Sequence, residues 1–177
     1  MDDLGRIATT VGGGLTTGTA DALRPWTILM LGAGGLFTGG LVWYAWERVW
    51  IWRRLTLGEF AVDFRRSVRR ADPAMPILLV ICGAAAGVFA SLVEGGSRTL
   101  ALAGIGLLAV ILASSIVVAE PINSQFRRLP EGVVPPQAER LRRRWRRFHL
   151  LRTGLGVAAL ACLVTAVTYA GSGQGPA

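Results

Sequence analysis

The sequence contains no lysine, one histidine and two cysteines among its 177 residues. A zinc or haem site needs several His or Cys ligands at short spacing, and the chain has no such spacing. No glycine-rich loop joins a predicted strand to a helix, so a dinucleotide site is not expected. We therefore expect neither a metal ion nor another cofactor.

Charged residues are also few, at 17% of the chain, whereas 52% of the residues are apolar. A soluble domain carries more charge than this. A soluble protein with several wholly buried helices is the alternative, but too little amphipathic chain remains to cover them. We predict an all-α fold, a bundle of four transmembrane helices, because four apolar runs can each cross a hydrocarbon core of about 30 Å. These runs are residues 26–46, 75–95, 99–119 and 150–170.

The apolar runs divide the chain into three parts. Residues 1–25 are rich in Gly and Thr, and we expect a mobile N-terminal tail there. Residues 26–170 form the four-helix membrane domain, and residues 171–177 a disordered C-terminal tail. Cys82 and Cys162 lie inside apolar runs, so small buried side chains are a better interpretation than a disulfide.

The net charge is +8, and all nineteen basic residues are arginine. Such a balance can indicate nucleic-acid binding, but these arginines sit in the links between apolar runs, where the positive-inside rule expects them. The links 47–74 and 120–149 hold seven and eight arginines, whereas the tail 1–25 holds two. We predict that both links lie in the cytoplasm of a bacterial inner membrane, with both termini outside. The expected partner is membrane lipid and not nucleic acid.

The first of these links contains a helix signal. Thr56 and Glu59 are spaced as a capping box, which predicts a helix from this point to about Ala71. Its apolar residues recur at three- and four-residue spacing, and arginines fill much of the remainder. This pattern is typical of an amphipathic helix lying in the lipid headgroup region. The apolar positions are Leu57, Phe60, Phe64 and Val68.

Small residues recur every four positions in three of the apolar runs. Such ladders predict close contact between helix backbones and hence one compact bundle, and they leave a homo-oligomer open. The ladders are Gly35 and Gly39 in the first run, Gly83, Gly87, Ser91 and Gly95 in the second, and Gly154, Ala158, Cys162, Ala166 and Ala170 in the fourth.

The second arginine-rich link carries the residues that can form a site. Pro121 should end the third helix, which leaves Glu120 and Asn123 at the cytoplasmic boundary. After a proline-rich loop, a helix can start near Gln137 and continue unbroken into the fourth span. On this helix one stripe collects three side chains, because two of them fall within about 20° and about 40° of the third, Trp145. They are Trp145, His149 and Arg152.

These side chains predict a polar pocket at the inner membrane boundary. His149 can act as an acid or a base, and Arg152 can hold an anionic substrate oxygen. Asn123 can donate a hydrogen bond, while Trp145 and Glu120 would contact a flat substrate. A structural interpretation stays open, because arginine snorkels at helix ends and tryptophan anchors at interfaces.

Three short motifs resemble a known family. Gly35-Leu36-Phe37, Pro121-Ile122-Asn123 and the series Trp145, His149, Arg152, Thr153 are similar to those of the anthrone-oxygenase-like family. These are small four-helix membrane proteins, long catalogued as a domain of unknown function, and the resemblance covers roughly residues 26–170. Fungal members oxidise anthrones to anthraquinones without an evident cofactor. The resemblance implies His149, Arg152 and Asn123 as catalytic residues.

Two functions are compatible with these features. The first is a cofactor-independent membrane oxygenase acting on a planar aromatic or polyketide-like substrate, with His149 as the base. The second is a non-enzymatic membrane subunit whose basic inner face binds anionic lipid or an acidic partner. The basic run 140–147 fits the second function, and it also fits a plain topology signal.

Overall fold

The four apolar runs form helices that are long and apolar enough to cross a membrane, and the protein is an integral membrane protein. The computed structural model describes residues 17–71, 74–130 and 133–172. The elements are α1 (Thr17–Arg54), α2 (Leu57–Ala71), α3 (Ala74–Leu92), α4 (Gly95–Ser114), a π-helical segment (Ser115–Ala119), α5 (Glu120–Arg128) and α6 (Ala138–Ser172).

The four long helices pack as a ring, which we call the bundle. Helix α1 contacts α3 and α6, and α4 contacts α3 and α6. The link between α3 and α4 is only Val93-Glu94, and Gly95 closes it with a φ of 59°, in the left-handed region that suits glycine. The predicted all-α bundle is therefore confirmed, with α3 and α4 as antiparallel neighbours.

Helix α1 is longer than the sequence indicated. It begins at Thr17 and not near Trp26, and it continues to Arg54. Its 38 residues span about 57 Å, nearly twice the thickness of a hydrocarbon core. Parts of the two predicted tails, residues 1–16 and 173–177, lie outside the described residues.

The parts of α1 and α6 that extend past the bundle build a second unit, which we call the head. It comprises α1 from Tyr44 onward, α2, α5 and α6 up to His149. Helix α2 has the predicted bounds, and the capping box is formed: the Thr56 N–H donates to Glu59 Oε2 at 2.9 Å, and the Glu59 N–H donates to Thr56 Oγ1 at 3.4 Å.

The apolar face of α2 is buried against protein. We expected this face to enter the lipid headgroups, but Phe60, Phe64 and Val68 are each at most 3% exposed. They pack with Trp52 and Phe126 because α1, α5 and α6 converge beneath α2. Amphipathicity alone does not distinguish these two surroundings, since both are apolar.

Arginines of the head cap helix ends. The Arg142 Nη1 group donates to the carbonyls of Trp52 and Leu55, at 3.0 and 2.9 Å, where α1 ends. The buried Arg65 donates from Nε to the Phe126 carbonyl, at 2.9 Å, near the end of α5. The last carbonyls of a helix lack partners within it, so these cations stabilise both ends. Part of the basic run thus supports the fold.

The prediction that Pro121 ends the third helix is wrong. Helix α4 continues through the π-helical segment into α5, and the Glu120 N–H donates to the Ser115 carbonyl five residues earlier. A proline inside an α-helix clashes with the carbonyl four residues back. The wider π turn lies directly before Pro121, so the chain stays helical to Arg128.

Most members of the predicted ladders of small residues do not form helix contacts; Ala166 is an exception, since it is fully buried and its carbonyl accepts from Ser97 Oγ at 2.7 Å. A Cβ atom placed on Gly35, Gly39, Gly83 or Gly87 would meet nothing within 4 Å, and Gly87 is exposed. A step of four residues turns a helix by about 400°, so each member of a ladder is rotated by about 40° around the helix axis from the one before it. A ladder of several members therefore does not stay on one face of the helix.

Other glycines make the close approaches. A Cβ on Gly104 would lie 2.8 Å from a Leu163 side-chain carbon and 3.3 Å from the Ala159 carbonyl oxygen. A Cβ on Gly34 would lie 3.0 Å from the Cys82 sulfur. Close packing therefore occurs between α4 and α6 and between α1 and α3, mostly at positions that the ladders did not include.

Candidate functional site

A cavity of about 470 Å³ lies where the bundle meets the head. All of the helical elements contribute to its lining, from α1 to α6. The five residues singled out from the sequence all line it, although they come from two separate parts of the chain. They are Glu120, Asn123, Trp145, His149 and Arg152.

His149 is 1% exposed and has a hydrogen-bond partner at each ring nitrogen. Its Nδ1 atom is 3.0 Å from Arg152 Nη2, and its Nε2 atom is 3.2 Å from the Leu41 carbonyl oxygen. Arginine can only donate, so Nδ1 accepts and the ring proton lies on Nε2, which donates to Leu41. These two contacts define a neutral imidazole in a single tautomer.

Aromatic rings form one flat wall of the cavity. The Trp145 and His149 rings are stacked, with centroids 4.8 Å apart and planes 6° from parallel. The Trp145 Nε1–H donates to Asn123 Oδ1 at 3.2 Å, which fixes the orientation of both side chains. Tyr44 completes the wall, with its ring centroid 5.2 Å from that of His149.

Charged groups lie on two sides of the cavity. Arg152 lies beside the aromatic wall, with its guanidinium carbon 5.6 Å from the Phe148 ring centroid. Glu120 and Arg127 form an ion pair along α5, and both side chains are partly exposed. The ionised residues of the lining sum to one positive charge, so the cavity is better suited to an anion than to a cation.

Sequence reasoning missed several lining residues, and the polar ones among them are Tyr44, Ser67, Ser115 and Arg127. Tyr44 lies near the end of the first apolar run, residues 26–46, and was assigned no role in the site. A signal for it was present, because Phe37, Leu41 and Tyr44 follow one another at spacings of four and three, which places them on one face of α1. Arg127 had no such signal. The third helix was expected to end at Pro121, so Arg127 was not placed on any helix face.

Carboxylates, imidazoles and thiols are the side chains that could hold a metal ion in the described ranges. No cluster of three or more such residues was found there. Cys82 is buried against Gly34, and Cys162 is partly buried, as separate free thiols.

A scan against protein-family models found a match to the model described as Anthrone oxygenase, over residues 64–162. The match extends from the middle of α2 to the second half of α6, which is more than half of the chain. The chain belongs to the anthrone oxygenase family. Membership confirms the resemblance that the sequence motifs indicated.

The matched region of the anthrone oxygenase family contains all five candidate site residues. Gly35-Leu36-Phe37, the first motif of the resemblance, lies outside the match, although Phe37 lines the cavity. Searches of curated proteins and of solved structures each found no match.

Proposed function

We propose that the protein is a membrane oxygenase that oxidises a planar phenolic or polyketide-like aromatic in this cavity without a bound cofactor. The observation that carries the proposal is the hydrogen bond between Arg152 and the neutral His149, on the wall of the cavity beside Trp145. Membership of the anthrone oxygenase family supports it.

The cavity suits a flat, mostly apolar ligand. Its volume of about 470 Å³ is within the range of roughly 300–1,000 Å³ that is usual for small-molecule sites. The substrate ring system would lie against the Trp145–His149 stack, since aromatic rings prefer stacked or edge contacts with one another. A ring oxygen of the substrate would then approach Arg152.

The first step is removal of a proton from an activated ring carbon. Before substrate binds, an Arg152 N–H donates to His149 Nδ1. The substrate oxygen then accepts this N–H in place of Nδ1, and the lone pair on Nδ1 becomes available to act as a base. His149 Nδ1 then accepts the proton from carbon, while negative charge moves to the substrate oxygen. Arg152 and the Asn123 amide, which Trp145 orients, stabilise that oxygen.

The resulting enolate reduces molecular oxygen. Its carbon forms a bond to O₂, and the peroxide receives the proton that His149 removed. Loss of water from this hydroperoxide leaves a carbonyl group at the carbon. The methylene loses two hydrogens and gains one oxygen atom, and the second oxygen atom leaves as water, so O₂ is the only oxidant required.

Substitutions of His149 and Arg152 test the proposal. Arg152→Lys keeps the charge but removes the planar fork, and His149→Gln keeps an N–H for Leu41 but has no basic nitrogen. We expect each to lower turnover of a hydroxyanthrone by at least about 10²-fold. The assay is quinone absorbance together with O₂ uptake by the protein purified in detergent.

Arg147→Lys is the matched control, because Arg147 is exposed on the same helix and does not line the cavity. It should retain full turnover. Full turnover in Arg152→Lys and His149→Gln would instead favour the binding-subunit function, for which the head exposes several arginines. These include Arg66, Arg69, Arg140, Arg143, Arg144 and Arg147.

We also propose that the head lies in the cytoplasm and that both ends of the chain lie outside. In support, α2 and the α5–α6 connection, which carry the two arginine-rich links, are at the same end of the bundle. Reporters fused after Arg128 and after Ser172 should give opposite results, with the second external. An external reporter after Arg128 would reverse the orientation.

A further inference from the structure

The cavity reaches the protein surface along one edge. Three of its lining residues are exposed, namely Pro76 near the start of α3, Ile116 in the π-helical segment and Glu120 at the start of α5. The aromatic wall on the opposite side is buried, with His149 1% and Trp145 5% exposed. The mouth of the cavity therefore lies between the start of α3 and the junction of the π-helical segment with α5.

The position of the mouth relative to the bilayer follows from α1. Trp26 and the exposed Trp46 are twenty residues apart, about 30 Å along a helix, which matches the hydrocarbon thickness. Leu41 and Tyr44, which line the cavity, lie within the last turns before Trp46. The cavity is therefore at the edge of the hydrocarbon core, on the side of the head.

The length of helix α3 independently places the mouth at the same depth in the bilayer. Its 19 residues span about 28 Å, so its first turn must lie at one boundary of the hydrocarbon. Pro76 is in that turn and lines the cavity. The mouth is thus at the depth where acyl chains meet headgroups.

The two borders of the mouth differ in chemistry. On the bundle side, Ile116 is 62% exposed, and its neighbour Val117 is 70% exposed. Such side chains face acyl chains in an integral membrane protein. On the head side, Glu120 and Arg127 form their ion pair. A molecule that passes through meets lipid-facing apolar groups on one border and charged groups on the other.

We propose that this mouth is a lateral entrance through which an amphiphilic planar aromatic enters the cavity from the bilayer. Its ring system passes Ile116 and Pro76, and its acidic or polar substituent passes Arg127 on the head side. This inference rests on the proposed function, and it adds that the substrate is a membrane-dissolved molecule. The rate at which the substrate enters from the lipid is then limited by the width of the mouth on its apolar side, next to Ile116.

Two adjacent substitutions test the entrance. Ile116→Trp narrows the mouth, whereas Val117→Trp places the same bulk on an exposed neighbour that does not line the cavity. In liposomes of neutral phosphatidylcholine, Ile116→Trp should lower kcat/KM for a hydroxyanthrone by about tenfold, within the range over which association rates vary among variants. Val117→Trp should match the wild type in both kcat/KM and kcat.

A binding measurement separates this inference from the oxygenase function. The probe is 1,8-dihydroxyanthraquinone in the same liposomes, and its association rate should fall in Ile116→Trp only. Equal rates in the two variants overturn the entrance. A difference in association without any turnover by the wild type supports the entrance and overturns the oxygenase. A wild type that neither binds nor reacts overturns both.

Thermal stability of each variant in detergent shows whether it has folded. If Ile116→Trp does not fold, Ile116→Phe and Val117→Phe give the same comparison with less added volume. Equal association rates in this second pair also overturn the entrance.

Discussion

The bundle and the head are held together by different side chains. The core of the bundle is formed largely by alanine, leucine and other small or aliphatic residues, and backbones approach closely at Gly34 and Gly104. The core of the head is formed by large rings, among them Trp52, Phe64 and Trp145, in edge-to-face and tilted contacts. Helix ends in the head are capped by arginines.

This difference reflects the surroundings of the two units. Lipid tails are as apolar as leucine, so helices in a bilayer associate through close packing of small residues. The head gains stability from removing large apolar side chains from water. The cavity lies between the two, with Leu41 in the core of the bundle and Trp145 in the core of the head, and His149 contacts both.

The largest effect is expected from breaking the aromatic core of the head. Phe64 is fully buried, and its ring lies 4.8 Å from Phe126 and 5.2–5.3 Å from three other rings. Phe64→Ala should lower the free energy of unfolding in detergent by about 3–5 kcal/mol. Leu57→Ala, on an exposed part of the same helix, is the control and should change it little. Similar losses in both would show that the head is not the cooperative core described above.

A smaller effect should follow from forcing two bundle helices apart. Gly104→Leu places a side chain against Leu163 and the Ala159 carbonyl, which costs about 1–3 kcal/mol of stability. Gly87→Leu adds the same side chain to an exposed position with open space around it. Gly104→Leu should therefore have a lower melting temperature than Gly87→Leu. Equal tolerance would mean that α4 and α6 are not in close contact.

The smallest effect is a pH dependence at the start of α2. Hydrogen bonds from the Thr56 hydroxyl and backbone N–H lower the pKa of Glu59 below its ordinary value of 4.5. The stabilisation is therefore fully present above pH 4.5 and is lost as the pH falls through the lowered pKa. The difference in melting temperature between wild type and Glu59→Gln should shrink below pH 4.5. A difference that stays constant would exclude an ionised cap.

Local patterns predicted much of the fold. Hydropathy located the four spans, and the Thr56–Glu59 capping box gave the start of α2, because both signals depend on residues close in sequence. Which face of each helix meets protein was not predictable. Glycine and alanine fit equally well against lipid and against another helix, so the ladder containing Gly83 and Gly87 did not identify a contact.

The predicted site residues come from two short stretches of the chain, 120–123 on α5 and 145–152 on α6. Trp145, His149 and Arg152 share a stripe of α6 because of helical periodicity, and the structure places all three on the cavity. Their partners lie far away in sequence: the Leu41 carbonyl is 108 residues from His149. No local pattern specifies such a pairing, so the tautomer of His149 became evident only from the fold.

The π-helical segment has a consequence for how the site can change over time. A π turn corresponds to an α-helix with one residue inserted, and here it lies between the bundle part of the third span and α5. The π turn absorbs that extra residue, so loss of one codon within residues 115–119 would restore α geometry and leave the residues after it nearly in place. Loss of one codon within α4 itself would instead rotate everything after it by about 100°. Asn123 would then turn away from Trp145 while the hydropathy profile stayed almost the same. Relatives whose spans differ in length by a single residue can therefore differ in the polar groups that they present to a substrate.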